Sequence, residues 1–264
     1  MIKTLFILIV ILTLCCPVVA DQTLTIGAGT HTMTIGAGKT ITVSGAVAAT
    51  CPSGTYLFAW NGDYGSDKDK GCFTSGASQK DGTQSGGTLS ATYGQTGVGF
   101  GLTANDQYVT WAISGNDGID PDVGTMWLDV YLPAVSITPA KQIIVFECFA
   151  DGSNHLSLGI RALGGLFGFY EGTSTGKTVT TSTLGVEGWN RVAYSWSRSG
   201  AEETHKHSVK LNAEAWIEDV EPLGTWAVSA TSITIGEKDI GITHSDTVYI
   251  DDVYVLAGYQ TAHP

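Results

Sequence analysis

Cations are scarce in this sequence. Lys and Arg together number 13 among 264 residues, against 25 Asp and Glu, and charged residues of either sign make up only 14%. A net charge of −12 excludes a surface built to grip phosphate backbones or anionic lipid heads, so neither nucleic acid nor a membrane surface is expected as a partner. Apolar residues at a sustained helical spacing between capping residues are also missing, which excludes a helical bundle. Beyond the first twenty residues no apolar run approaches the roughly 20 residues that span a bilayer, so membrane insertion is not expected. The sequence has no Gly-x-Ser-x-Gly elbow, no Cys/His spacing suited to zinc and no Asn-x-Ser/Thr acceptor. The last absence favours a source without N-linked glycosylation.

What is present points to an exported β protein. Residues 1–20 hold one cation, Lys3, then the apolar run Leu5 to Leu14, then Val18 and Ala20 at the small-residue positions of a processing site. They read as a signal peptide, so the mature chain is expected to be secreted, at the cell surface or in a periplasm. Lipidation of Cys15 or Cys16 is disfavoured because Leu14 and Cys15 precede them, where lipoprotein processing wants a small residue. Glycine, at 34 residues, supplies turns for many short strands. Of the three cysteines left after processing, Cys51 and Cys72 flank a polar Gly-rich segment and are expected to form a disulfide, which would contribute about 3 kcal/mol. Cys148 alternates with Ile144 and Phe146 and reads as a small buried hydrophobe rather than a reactive thiol.

Residues 21–50 form a Thr/Gly appendage in which TLTIGAGTH, TMTIGAGKT and ITVSGAV repeat, placing Ile26, Ile35 and Val43 at a nearly constant step. Three short strands are expected, either as a local sheet or stalk or as an element that pairs with a neighbouring subunit. Residues 51–264 carry the main domain. Asn61 to Gly71 and Ser75 to Gly87 read as solvated polar loops. Strands are expected at Tyr56–Trp60, Val98–Leu102, Gln107–Ile113, from Thr125, and at Ile143–Ala150, Leu156–Ala162, Leu166–Glu171 and Lys177–Thr183. Further strands are expected at Ser208–Trp216, Ser232–Gly236 and Val248–Leu256. In EGWNRVAYSWSRSG, residues Glu187 to Gly200, Val192, Tyr194 and Trp196 share one face, and Arg191, Ala193 and Ser195 the other. About a dozen short strands imply an all-β, two-sheet antiparallel sandwich.

The ordered series YLFAWNGDYGS, NDQYVTWA, DVGTMWLDVYL, HLSLGIRALGGLFGFY, EGWNRVAYSWSRSG, SVKLNA, SITIG and VYIDDVYV resembles the laminin G-like branch of the concanavalin A-like lectin and glucanase superfamily over residues 55–258. The resemblance implies a jelly roll with a concave and a convex sheet and loops at the rims. Many such domains carry a Tyr-x-Asp-Gly hairpin where this chain has Lys210, Leu211, Asn212 and Ala213, so no ligand site is carried over from that hairpin.

Glycosidases of this superfamily align acids as Glu-x-Asp-x-x-Glu, which brings two carboxylates together on one strand face. The nearest match, Glu218, Asp219 and Glu221, puts adjacent Glu218 and Asp219 on opposite faces, so an enzyme is a distant third expectation. Glu214 and Glu218 read as decoration of a solvated edge, and His205 and His207, which could clip a metal from one side of an extended segment but lack a third ligand, as part of a solvated turn. Trp127 and Tyr131 share the polar face of their strand with Asp129, a pattern suited to stacking on a sugar and binding its hydroxyls, or to packing under a loop. Alternation puts Asp251 beside Val253 and Val255 on the apolar face, where a carboxylate needs either hydrogen bonds or an ion. Calcium is the candidate ion, with Asp63 or the 116–122 loop (Asn116, Asp117, Asp120, Asp122) completing its oxygen shell around Asp251. The functional expectation is a non-catalytic lectin-like protein that binds carbohydrate or a cell-surface partner. The alternative is a structural subunit that self-associates through residues 22–50.

Overall fold

In the computed structural model the described residues are 29–35, 39–45, 51–52, 54–63, 69–74, 78–95, 97–104, 106–115, 117–133, 142–161, 165–173, 176–181, 187–236 and 247–264. The signal-peptide reading and the first strand of the N-terminal repeat therefore lie outside them. The chain divides into the units Met1–Val47 and Ala48–Pro264. In the first, β1 (Gly29–Ile35) and β2 (Lys39–Gly45) form a two-stranded antiparallel sheet registered from Gly29 opposite Gly45 to Ile35 opposite Lys39.

The second unit is organised around β10 (Val123–Leu132), the strand with the cleanest alternation in the sequence. Met126, Leu128, Val130 and Leu132 enter the core, and β15 (Gly188–Ser197) pairs with one side of the strand along its whole length. β19 (Val248–Leu256) pairs with the other side. On β15 the inward residues are Val192, Tyr194 and Trp196, all at most 1% exposed. Around this centre the order is β17 (Ile217–Val220), β16 (Lys206–Leu211), β15, β10, β19, β3 (Phe58–Trp60), β4 (Lys70–Phe73) and β5 (Ser78–Asp81). A short pair, β7 (Thr88–Ser90) and β8 (Gly99–Leu102), shares the far edge of β19. The opposing seven-stranded sheet runs β14 (Lys177–Thr180), β13 (Leu166–Glu171), β12 (Asn154–Ile160), β11 (Ile143–Asp151), β18 (Ser232–Gly236), β9 (Tyr108–Ala112) and β6 (Thr83–Ser85). Every ladder is antiparallel, and no α-helix occurs among the described residues, as expected of a jelly-roll-type sandwich.

Three sequence expectations need correcting. The polar stretches up to Gly87 hold or border three short strands, β4 to β6, because edge strands need little apolar content. The strand expected over Ser208–Trp216 breaks at Asn212, whose φ of 50° turns the chain into β17. Its amide hydrogen-bonds the Arg191 carbonyl and its side chain accepts from the Arg191 amide, which fixes that turn to β15. Finally, Asp251 does not face the core. A bulge at Asp252, with φ 54°, separates the pairs Trp127–Tyr254 and Asp129–Asp251, so Ile250 and Val253 both point inward and Asp251 points out beside Asp129.

Cys51 and Cys72 form the expected disulfide, with Cα atoms 5.6 Å apart, tying the start of the domain to β4. Cys148 is fully buried on β11, and burial pushes its thiol well above the ordinary range, in keeping with an inert apolar role.

Candidate functional site

The outer face of the seven-stranded sheet carries a recess of about 290 Å³ across β11 to β14. Its construction follows from period two. On β12, Leu156, Leu158 and Ile160 enter the core, which turns His155, Ser157 and Gly159 outward, with Arg161 following them. On β13, Leu166 and Tyr170 enter the core and Phe167 and Phe169 turn outward. Between them Gly168 lies against the Tyr194 ring, where an added Cβ would meet ring carbon at 2.0 Å, so no larger residue fits there.

The register assembles these side chains into a row. Glu147 is opposite Ser157, Ser157 opposite Phe169, and Phe169 opposite Thr178. Ile144 and Phe167 flank Gly159, and the Phe167 ring lies where a Cβ of that residue would stand, while Gln142 and Arg161 border one end. The Arg161 guanidinium lies 5.7 Å from the centre of the Phe167 ring. At the other end the His155 ring sits 5.1 Å from Phe169, and 6.2 Å from Phe149.

Two polar groups are sunk in this recess. Glu147 is 6% exposed. His155 Nδ1 is buried without a hydrogen-bond partner among the described residues and lies 3.8 Å from Glu171 Oε2. Burial lowers the His155 pKa below its ordinary 6.5, so the imidazole is neutral near pH 7 and can accept or donate one hydrogen bond. Chemically the recess offers two aromatic rings and a mixed set of carboxylate, imidazole, hydroxyl, amide and guanidinium groups. Glu147 is the only carboxylate among the described residues that line it.

The residues nominated from sequence lie elsewhere. Trp127 and Asp129 are 5% and 2% exposed on the outer face of the other sheet, under the C-terminal residues 257–264. Trp127 Nε1 donates to the Thr261 carbonyl at 2.8 Å, and its ring meets Trp216 and His263 edge-on. Asp129 accepts a two-bond fork from Arg191, at 2.8 and 2.7 Å. Tyr131, half-buried, is packed between Trp189 and Tyr249. The accessible platform expected at Trp127, Asp129 and Tyr131 is thus a packed face.

The five nominated calcium ligands are distributed rather than gathered. Asp251 is fully buried and accepts from the amides of Gln95 and Asp252. Asp117 pairs with Lys80 at 2.6 Å, Asp120 accepts from the Asp122 amide, and Asp122 pairs with Arg198. Asp63 lies on the surface against Gly97. The 117–122 loop instead closes one end of the core, where Trp196 Nε1 donates to the Asp120 carbonyl and the Tyr170 hydroxyl to that of Pro121.

His205 and His207 are buried rather than solvated, at 5% and 0% exposure. Glu218 and Asp219 do face opposite ways. Glu218 accepts from the Tyr259 hydroxyl at 2.6 Å, and Asp219 sits with His207 and Glu221.

The recess residues were missed because His155, Ser157, Phe167 and Phe169 are unremarkable singly. Their signal lies in aromatic residues alternating onto the face opposite Leu166 and Tyr170, and that needs the β12–β13 register to be read.

No protein-family model and no curated protein sequence matches this chain. Solved structures do. The botulinum neurotoxin serotype D binding domain aligns with TM-score 0.56 and 12% identity, covering 78% of this chain and 49% of that one. The serotype D ligand binding domain in complex with N-acetylneuraminic acid aligns with TM-score 0.53 and 12% identity, covering 78% and 48%. The binding domain of botulinum neurotoxin DC in complex with rat synaptotagmin II aligns with TM-score 0.54 and 12% identity, covering 78% and 49%. This chain spans about half the length of these structures, and at such identity the likeness is one of fold.

Proposed function

We propose that residues 51–264 form a non-catalytic, laminin G-like binding domain that holds a sugar residue of a glycan or glycan-bearing cell-surface partner in the recess over β11 to β14. The row Glu147–Ser157–Phe169–Thr178 carries this reading. It sets an aromatic face suited to the C–H face of a sugar ring beside groups that exchange hydrogen bonds with hydroxyls. A volume of about 290 Å³ suits a small ligand. A lone carboxylate suits binding rather than hydrolysis. The similar folds cited above support the same reading, since two of them are structures of complexes, one with a sugar and one with a protein. Residues 1–20 would export the chain to where such partners occur.

Glycan-array binding of the mature chain tests the proposal, alongside Phe169→Ala, Glu147→Gln and Tyr131→Ala. The first two should each lose about tenfold or more in affinity, the equivalent of about 1.4 kcal/mol, with unchanged circular dichroism. Tyr131→Ala should bind as the parent does. Loss of binding only in Tyr131→Ala would move the site to the other sheet, and no binding to any glycan withdraws the carbohydrate reading.

A second reading concerns the N-terminal unit. Among the described residues β1 and β2 pair only with each other, and a two-stranded sheet is marginal in water, which favours pairing of residues 21–50 with another chain. Deleting them should lower the oligomeric mass seen by light scattering while the sandwich stays folded. An unchanged mass removes this reading.

A further inference from the structure

At the outer edge of the sandwich, the hairpin of β16 and β17 places three metal-ligating groups together. His207 and Asp219 are cross-strand partners, and Glu221 follows Asp219 by two residues, on the same side. One ligand atom from each of the three lies within 4.8 Å of the others, the only such grouping among the described residues. His207 Nε2 is 2.9 Å from Glu221 Oε1.

The surroundings fix these groups. The His207 side chain is fully buried, and its Nδ1 is within hydrogen-bond distance, 3.2 Å, of the Tyr194 hydroxyl, which holds the ring so that Nε2 faces the two carboxylates. Such an outer partner on the far nitrogen is the usual support of a metal-bound imidazole. Glu221 is held likewise: Lys177, from the opposing sheet, lies 3.1 Å from Oε2, on the oxygen away from His207. Asp219 Oδ1 accepts the Val220 amide at 2.9 Å, which orients the second carboxylate.

We propose that His207, Asp219 and Glu221 form a three-ligand site for a divalent transition-metal ion, zinc foremost. One imidazole nitrogen with two carboxylate oxygens matches zinc, whereas calcium and magnesium take oxygen shells. Zinc bonds of about 2.0–2.1 Å put tetrahedral ligand atoms about 3.3 Å apart, a spacing that small side-chain movements would reach from the arrangement here. Binding takes the ring as its Nδ1–H tautomer, which donates to the Tyr194 hydroxyl and gives the Nε2 lone pair to the ion, leaves Lys177 on Oε2, and keeps a fourth position for solvent. The ion would clip the four-residue edge strand β17, all of whose residues are exposed, to β16. This site is separate from the glycan recess and stands whether or not that recess binds sugar.

The test uses the tag-free mature chain with zinc, calcium and magnesium, read by thermal unfolding and by the visible absorption of bound cobalt. At a hundredfold excess over Kd, zinc should raise Tm by about 5–10 °C, with calcium and magnesium inactive. Cobalt should give the absorption band of a low-coordinate site. Asp219→Asn and Glu221→Gln, which preserve shape at accessible positions, should each abolish both signals while retaining the parent circular dichroism. The control Glu203→Gln should keep them. Absence of a zinc shift and cobalt band in the parent chain overturns the proposal, as does persistence of either signal in Asp219→Asn or Glu221→Gln.

Discussion

The outer faces of the two sheets begin from similar material and end differently. On β10 the outward residues are Trp127, Asp129 and Tyr131; on β11 to β13 they include Glu147, His155, Phe167 and Phe169. Each set mixes aromatic rings with an acid. On the β10 face the C-terminal residues lie across the strands, and polar groups beneath find partners in them or in β15. Thr261 takes the Trp127 indole and donates to Thr125, Gln260 donates to Ser195, and Arg191 neutralises Asp129. On the β11–β13 face a recess remains, and each face keeps one buried imidazole nitrogen without a hydrogen bond among the described residues, His155 Nδ1 here and His263 Nε2 under the C-terminal cover. What distinguishes the open face from the packed one here is therefore which chain segment lies across it.

The contrast breaks most sharply at Asp129. Asp129→Ala removes a 2%-exposed carboxylate and leaves the Arg191 guanidinium without its fork. Removing one partner of a buried pair costs about 3–5 kcal/mol, and the lower end applies because Arg191 is partly exposed and can rehydrate. A fall of about 6–12 °C in Tm is expected, with glycan affinity unchanged. An Asp129→Ala chain that keeps its Tm but loses binding would reverse the roles of the two faces.

Truncation after Ala257 is the next largest. It removes the bonds from Thr261 to Trp127 and Thr125 and from Gln260 to Ser195, for a net loss of about 2 kcal/mol. Trp127 is uncovered, so tryptophan emission should shift to the red. If the truncated chain gains glycan binding instead, the covered face is a second, occluded site.

These expectations also mark how far sequence reaches. Alternation in TMWLDVYL and RVAYSWS was enough to name the core residues of β10 and β15, because one buried face imposes period two. It could not place Asp251, since one left-handed residue at Asp252 absorbs a position and flips the parity behind it. Nor could it show Trp127 to be covered, because nothing local in YQTAHP says where a chain end will lie. The recess required three ladders in register, and the grouping of His207 with Asp219 required a turn at Asn212 that propensity reads as continuing strand. The Cys51–Cys72 pairing was legible because only three cysteines lie beyond residue 20, and Cys148 alternates with apolar residues.

The smallest effect separates the faces by acid sensitivity. Burial lowers the pKa of His155 on one face and of His263 on the other below the ordinary 6.5. For each, the unfolded chain binds more protons as pH falls below 6.5, so stability is complete above that value and declines until the lower folded pKa is passed. Tm should therefore decrease from pH 7 to pH 5, and His155→Gln and His263→Gln should each remove part of the decrease. Asp252 acts in the opposite sense beside His263. Burial raises its carboxyl above 3.8, so the folded chain binds the extra proton and stability recovers as pH falls toward the carboxylate range. The acid loss on the β10 face should partly recover at low pH, whereas that traced to His155 should level off without recovery. Equal profiles for the two variants across the whole range would show that the C-terminal cover does not seal its face as the structure has it.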